Sequence, residues 1–222
     1  MPKFIDGVIK FRNEIYGQHK ELFEKLADGQ SPEAVFIACS DSRVETAMIT
    51  QTYPGELFIL RNAGNIVPPH TSQTGAMTAT IEFAMSVLKT PHIVICGHSQ
   101  CGALQGAMNP DRISHLPHVK EWIGFSRAAV EVVEELAKDK TPAEKMDMLM
   151  KQNVILQIQH LKTHPSVLRR LATKELTIHG WVYDIKTGEV QAVDETTGEF
   201  HPVDEHYAKL AREVIPPHTC GE

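Results

Sequence analysis

Two short turns concentrate the side chains that can do chemistry: Cys39-Ser40-Asp41-Ser42-Arg43 and Gly97-His98-Ser99-Gln100-Cys101-Gly102. Each directly follows an apolar run. Zinc takes thiolate sulfur and imidazole nitrogen, so Cys39, His98 and Cys101 would form a metal-ligand set. Two cysteines and one histidine leave a fourth tetrahedral position open, which is a catalytic and not a structural count. His98 and Cys101 stand three residues apart, a spacing that lets both reach one ion across a strand-to-helix turn. Cys39 is distant in the chain and needs a neighbouring parallel strand to join them. Taken singly, a strand-ending cysteine is as readily a small buried hydrophobe, and Cys96, inside its apolar run, is read that way.

Asp41 and Arg43 sharpen the reading. A carboxylate beside zinc would compete to become the fourth ligand and close the site. An arginine pairing bidentately with it holds it back and keeps it ionised. The free carboxylate oxygen can then accept a hydrogen bond from zinc-bound water or hydroxide. Asp-Ser-Arg also suits a turn or a helix cap, and the two uses are compatible.

The elements that must position these turns follow from periodicity. Phe4, Val8, Phe11, Ile15, Leu22 and Leu26 fall on one face of a long helix, stopped by Asp28-Gly29. Ala34–Cys39, Leu57–Leu60 and Ile93–Cys96 read as short buried strands. A polar, proline-containing loop covers 62–73, and a helix follows from Thr74 to about Leu88. Further helices are predicted near Val119–Leu136 and Ala143–Leu161. Glu175–Asp184 and Glu189–Val193, joined at Thr187-Gly188, read as a hairpin added to the sheet. The tail from Thr196 reads as irregular.

Strands alternating with helices predict an α/β fold with a central, mostly parallel sheet, and ligands beyond the strands' carboxyl ends. With no internal repeat or Gly/Ser linker, one domain over 1–222 is expected, with 1–30 as a helical arm and 196–222 as the tail.

Composition narrows the function. The chain has 222 residues, 42% of them apolar, enough for a core. A net charge of -6 and a pI near 6.1 argue against nucleic-acid partners. Apolar runs are too short to span a bilayer, and the N-terminus has no signal-peptide core, so no membrane partner and a cytoplasmic location are expected. Four cysteines in such a chain suggest metal binding or free thiols before disulfides.

Cys39-x-Asp41-x-Arg43 together with His98-x-x-Cys101 resembles the β-class carbonic anhydrases. Arg61-Asn62-Ala63-Gly64-Asn65, Ile81-Glu82-Phe83-Ala84, Gly97-His98-Ser99 and His179-Gly180-Trp181-Val182-Tyr183 are similar to that family's segments in the same order. The resemblance runs from about Phe4 to Val193. It implies one zinc ion per chain on Cys39, His98 and Cys101, with Asp41 and Arg43 as an orienting dyad. It also implies a homodimer, or an assembly of dimers, whose N-terminal helix packs over the partner and whose active sites lie at the interface.

Gln30, nine residues before the first zinc cysteine, and Phe36, where a regulated branch carries tryptophan, make the chain similar to the plant-like, zinc-open branch. On that alignment Phe58, Ala63, Phe83 and Gly102 line the substrate pocket, although Phe58 and Phe83 equally suit a plain core. Glu45-Thr46 stands where family members often have proline, and Phe83 where they often have tyrosine.

The activity implied is hydration of carbon dioxide to bicarbonate by zinc-bound hydroxide, with Gln30 or a backbone N–H polarising a substrate oxygen. Carbon disulfide or carbonyl sulfide hydrolysis on the same site is the nearest alternative. A non-catalytic, zinc-stabilised subunit is the next, and resemblance to carboxysome-associated members makes that location an option. A thiol redox protein is disfavoured because no Cys-x-x-Cys pair exists.

Overall fold

The computed structural model describes residues 2–72 and 74–214. The chain opens with α1 (Lys3–Lys10) and α2 (Lys20–Ala27), then β1 (Ala34–Cys39), α3 (Thr46–Thr50) and β2 (Leu57–Asn62). Next come α4 (Ala76–Phe83), β3 (His92–His98), α5 (Gly102–Met108), α6 (Pro117–Ile123) and α7 (Arg127–Leu136). α8 (Pro142–Leu161), α9 (Pro165–Ala172), β4 (Thr177–Tyr183), β5 (Val190–Val193), β6 (Phe200–Pro202) and α10 (Val203–Val214) complete it.

The six strands form one sheet in the order β2-β1-β3-β4-β5-β6. β2, β1, β3 and β4 run parallel, while β5 and β6 add antiparallel to that side. β1 and β3 are buried on both faces, and accordingly read as unbroken apolar runs, AVFIAC and HIVIC. One face carries Val35, Ile37, Ile93 and Ile95 against Leu149, Val154, Ile158 and Leu161 of α8. The other carries Phe36, Ala38, Val94 and Cys96, with Trp181 and Tyr183 packed on them.

The α/β architecture and the three predicted strands are present, with β2 and β3 running two residues further than expected. Three readings need correction. The long N-terminal helix is interrupted by a π-helical turn at Phe11–Ile15 and a 3-10 turn at Tyr16–His19. The wider π turn brings positions five apart onto one side, so Phe11 and Tyr16 pack edge to face and Tyr16 stacks on Phe23. The 119–136 helix is divided by a 3-10 turn at Gly124–Ser126, where glycine weakens the helix.

The tail is not irregular where it is described. Asp194-Glu195-Thr196-Thr197-Gly198-Glu199 repeats the Asp-x-x-Thr-Gly-Glu pattern that closes the β4–β5 hairpin at Asp184–Glu189. Both glycines take a positive φ, 79° at Gly188 and 77° at Gly198, so the second turn adds β6 as the first adds β5. Pro202 sits at the end of the edge strand, where a missing N–H costs nothing, and α10 starts directly after it. The Tyr207 hydroxyl meets His179 Nδ1 at 2.8 Å and accepts from Trp181 Nε1 at 3.0 Å, which docks α10 on the sheet. Burial pushes His179 down to about 4, so the ring is neutral when it makes this bond. Cys220 lies outside the described residues.

Helix α8 lies flush on β3 and β4 because Gly97 and Gly180 present no side chain to it. A Cβ at Gly180 would stand 2.7 Å from Ile158 Cδ1 and Val193 Cγ1 and 2.8 Å from Val154 Cγ1. Gly180→Ala is expected to cost about 1–3 kcal/mol by overpacking. Denaturant unfolding reads this directly, and an unchanged midpoint would mean that α8 can slide outward at no cost.

Candidate metal centre

Parallel pairing brings the carboxyl ends of β1 and β3 side by side, with Ala38 opposite Cys96. Cys39 ends β1, His98 ends β3, and Cys101 precedes α5 as its N-cap. Gln100 makes the short strand-to-helix turn possible by taking a left-handed φ of 55°. Ser99 holds that turn to β4, donating its N–H to the Tyr183 carbonyl at 2.9 Å and accepting from Ile185 N–H at 2.9 Å.

The donor atoms of Cys39, His98 and Cys101 lie within 4.8 Å of one another, and all three residues are buried. The two sulfurs are 3.9 Å apart. A zinc tetrahedron with Zn–S bonds of about 2.3 Å has an S–S edge of about 3.8 Å, so the spacing suits one ion. His98 Nδ1 faces the Ser99 carbonyl at 2.9 Å, which places the ring proton there and leaves Nε2 with its lone pair. That Nε2 is fully buried and has no hydrogen-bond partner. An orphaned imidazole nitrogen beside two thiols fits a metal ligand, because burial without a partner is otherwise costly.

The thiols are unequal. Cys39 is drawn well below the ordinary thiol range, first by its hydrogen bond with Cys101 and also by the Gly64 N–H, against its burial. Cys101 is pushed up by its hydrogen bond to Cys39 and by burial. A cation between the two sulfurs would favour ionisation of both. Cys96 takes no part: it points to the other face, and burial raises its thiol to about 12.

Arg43 grips Asp41 through Nε on Oδ1 at 2.9 Å and Nη2 on Oδ2 at 2.7 Å, while the Arg43 backbone N–H adds a third bond at 3.0 Å. These bonds, led by the guanidinium, hold the Asp41 carboxyl far below the usual carboxylate range. Oδ2 sits 3.9 Å from His98 Nε2, at the edge of the ligand cluster. Arg43 also reaches Gln100, at 3.4 Å to Oε1 and 3.2 Å to the carbonyl, which ties the first turn to the second.

Arg61 has a role that residue types alone did not reveal. From β2 it donates to the carbonyls of Cys39 at 3.2 Å, Asp41 at 3.0 Å and Val44, clamping the first turn from below. Gly64 donates its N–H to Cys39 Sγ at 3.4 Å.

The predicted pocket residues divide into two groups. Gly102 adjoins Cys101, and Ala63 adjoins Gly64, so both stand at the ligand cluster. Phe58 pairs with Val35, four residues before the Cys39 level, or about 13 Å away along the strand. Phe58 and Phe83 stack with centroids 6.2 Å apart, and Phe83 is 44% exposed. Gln30 is exposed and precedes β1, at the opposite end of the sheet from the cluster. Within one chain these three do not meet the metal ligands.

The carbonic anhydrase family model matches residues 34–190, which includes both turns. The chain belongs to the β-class carbonic anhydrases. It is 42% identical over 206 residues to a carbonic anhydrase of Pseudomonas aeruginosa, covering 93% of each chain. It is 39% identical to one of Synechococcus elongatus, covering 95% of this chain and 78% of that one. The solved β-carbonic anhydrase CcaA superposes with a TM-score of 0.87 at 37% identity, covering 90% of each chain. A structure from work on two tetrameric β-carbonic anhydrases of Sordaria macrospora gives a TM-score of 0.76 at 33% identity, over 85% of this chain and 93% of that one. Among the described residues, no helix is long and apolar enough to cross a membrane.

Replacing Cys39, His98 or Cys101 by Ala is expected to abolish stoichiometric zinc, as metal analysis of the purified protein would record. Full zinc in any one variant would remove that residue from the ligand set.

Proposed function

We propose that this β-class carbonic anhydrase catalyses reversible hydration of carbon dioxide to bicarbonate and a proton, at one zinc ion held by Cys39, His98 and Cys101. The observation that carries the reading is the restraint on Asp41: three ligands converge, and the nearest carboxylate is locked by Arg43 instead of joining them. A zinc ion with an open position supplies Lewis acidity that lets water ionise near neutral pH.

The chain's own residues do the rest. Paired with Arg43, the Asp41 carboxyl is held toward its ionised form, in which Oδ2 acts as an acceptor. It orients the attacking oxygen by taking a hydrogen bond from it, and it cannot compete as a proton donor. Arg43 keeps that carboxylate out of the ligand set and fixes its direction. Ala63 and Gly102 leave room beside the metal for a small linear substrate.

Gln30, Phe58 and Phe83 complete the pocket from a partner chain. This assignment is supported by their place at the far end of the sheet and by the exposure of Phe83. The N-terminal arm would cross to the same partner, and its exposed Phe4, Val8 and Phe11 suit that contact. We read the protein as a lyase that works as a homodimer or an assembly of dimers.

Asp41→Asn is expected to keep zinc and to lose about 100-fold or more in carbon dioxide hydration, measured by stopped flow. A variant as fast as wild type would exclude the dyad from the mechanism. Gln30→Ala should slow turnover with zinc retained, and unchanged kinetics would reduce Gln30 to a loop residue. Running carbonyl sulfide beside carbon dioxide on the wild type decides the substrate, since faster turnover of the sulfur compound would replace the hydration reading.

A further inference from the structure

The loop at 62–68 carries the Gly64 N–H that faces Cys39 Sγ, and it lies outside the strand ladder that fixes β2. Asn62 closes it locally, donating to the Ile66 carbonyl at 2.9 Å and accepting from Ile66 N–H at 2.7 Å. Trp122 Nε1 of α6 donates to the Ala63 carbonyl at 2.9 Å and His164 Nε2 meets the Pro68 carbonyl at 3.0 Å, while between them α8 holds the loop at Gly64 and Val67. Asn153 Nδ2 donates to the Gly64 carbonyl at 3.2 Å. Gln157 Oε1 accepts from Val67 N–H at 2.9 Å, and Gln157 Nε2 donates to Asn153 Oδ1 at 2.9 Å. The same Oδ1 accepts from Ser126 Oγ at 2.8 Å, which locks the amide's direction.

Asn153, Gln157 and Ser126 are all 0% exposed. Asn153 and Gln157 stand on the helix face that otherwise buries Leu149, Val154, Ile158 and Leu161, where apolar side chains would pack without any desolvation cost. A buried amide pair with its partners in place is a means of fixing geometry. At Gly64 the backbone takes a φ of 85° and packs close enough to α5 that a Cβ would meet Ala103 Cβ at 3.2 Å, so a small shift of this turn is resisted on one side by α5 and on the other by the Asn153 amide.

We propose that Asn153 and Gln157 are positioning residues for the metal centre, clamping the Gly64–Val67 backbone so that the Gly64 N–H stays on the Cys39 sulfur. An N–H donated to a thiolate draws charge from it, weakening its donation and leaving a bound cation more electrophilic. The same bond fixes where Cys39 Sγ stands relative to Cys101 and His98. This rests on the zinc reading above, and it adds an outer support that reaches the ligand through one backbone amide.

The test replaces zinc with Co2+ in the purified protein and reads the cobalt–thiolate charge-transfer absorption. In Asn153→Leu the band is expected to move to longer wavelength, as a thiolate stripped of its hydrogen bond is easier to oxidise. Zinc affinity by chelator competition should fall about tenfold, and amides of 62–68 should exchange faster with deuterium. Val133→Ala, a cavity in α7 at a side chain that makes none of these hydrogen bonds, is the control for lost stability alone and should leave the band in place. If Asn153→Leu does not fold, Asn153→Asp keeps the side chain's shape and its acceptor oxygen while removing the donor to Gly64, and takes the same three readings. An unmoved band with unchanged zinc affinity in a folded variant would overturn the inference. A wild-type protein that shows no cobalt–thiolate band would instead overturn the zinc reading beneath it.

Discussion

Two thiols and one imidazole nitrogen are buried side by side in one cluster. The sulfurs stand 3.9 Å apart, and His98 Nε2 has no partner at all. Their hydrogen bond draws Cys39 toward the thiolate and Cys101 away from it. On the proposed reading a divalent cation would hold all three, neutralising both sulfurs and accepting the nitrogen's lone pair. The rest of the fold can be understood as the framework that keeps these three side chains together against their own desolvation. Parallel pairing of β1 with β3 sets the distance, and the left-handed Gln100 turns Cys101 back toward His98.

Around that cluster, the nearest carboxylate is restrained by ion pairing. Asp41 is near enough to become a fourth ligand, but Arg43 binds both of its oxygens and Gln100 steadies Arg43 in turn. Arg61 holds the carbonyls of the same turn, so the carboxylate cannot swing inward without pulling the loop with it. Support from α8 reaches the opposite side of Cys39 through Gly64. The ligand turn is thus held from β2, from the 99–101 turn and from α8, three elements that are far apart in the chain.

Much of this was legible in the residues. The unbroken apolar runs before Cys39 and His98 mark strands buried on both faces, and that alone implies a parallel sheet with its site at the carboxyl ends. The residue types of Cys39, His98 and Cys101 pointed to a metal-ligand cluster, and the structure brings the three together. What stayed hidden depends on contacts remote in sequence. Asn153 and Gln157 look like solvated polar positions, although their spacing of four on an apolar helix face was a usable signal. The division of the pocket, with Gln30, Phe58 and Phe83 away from the metal, follows from strand register and not from motif order. The second Asp-x-x-Thr-Gly-Glu turn was visible as a repeat of the first, yet the prolines nearby masked β6 and α10. The break in the N-terminal helix accompanies ring contacts among Phe11, Tyr16 and Phe23, which periodicity averages over.

The central claim is that activity belongs to one metal ion on this three-ligand set. Titrating zinc into metal-free protein while following carbon dioxide hydration tests it most directly. Hydration should rise in proportion to zinc bound and level off at about one ion per chain, the number a single tetrahedral site with two thiolates and one imidazole accepts. Hydration by metal-free protein, or none at full zinc loading, would contradict the account.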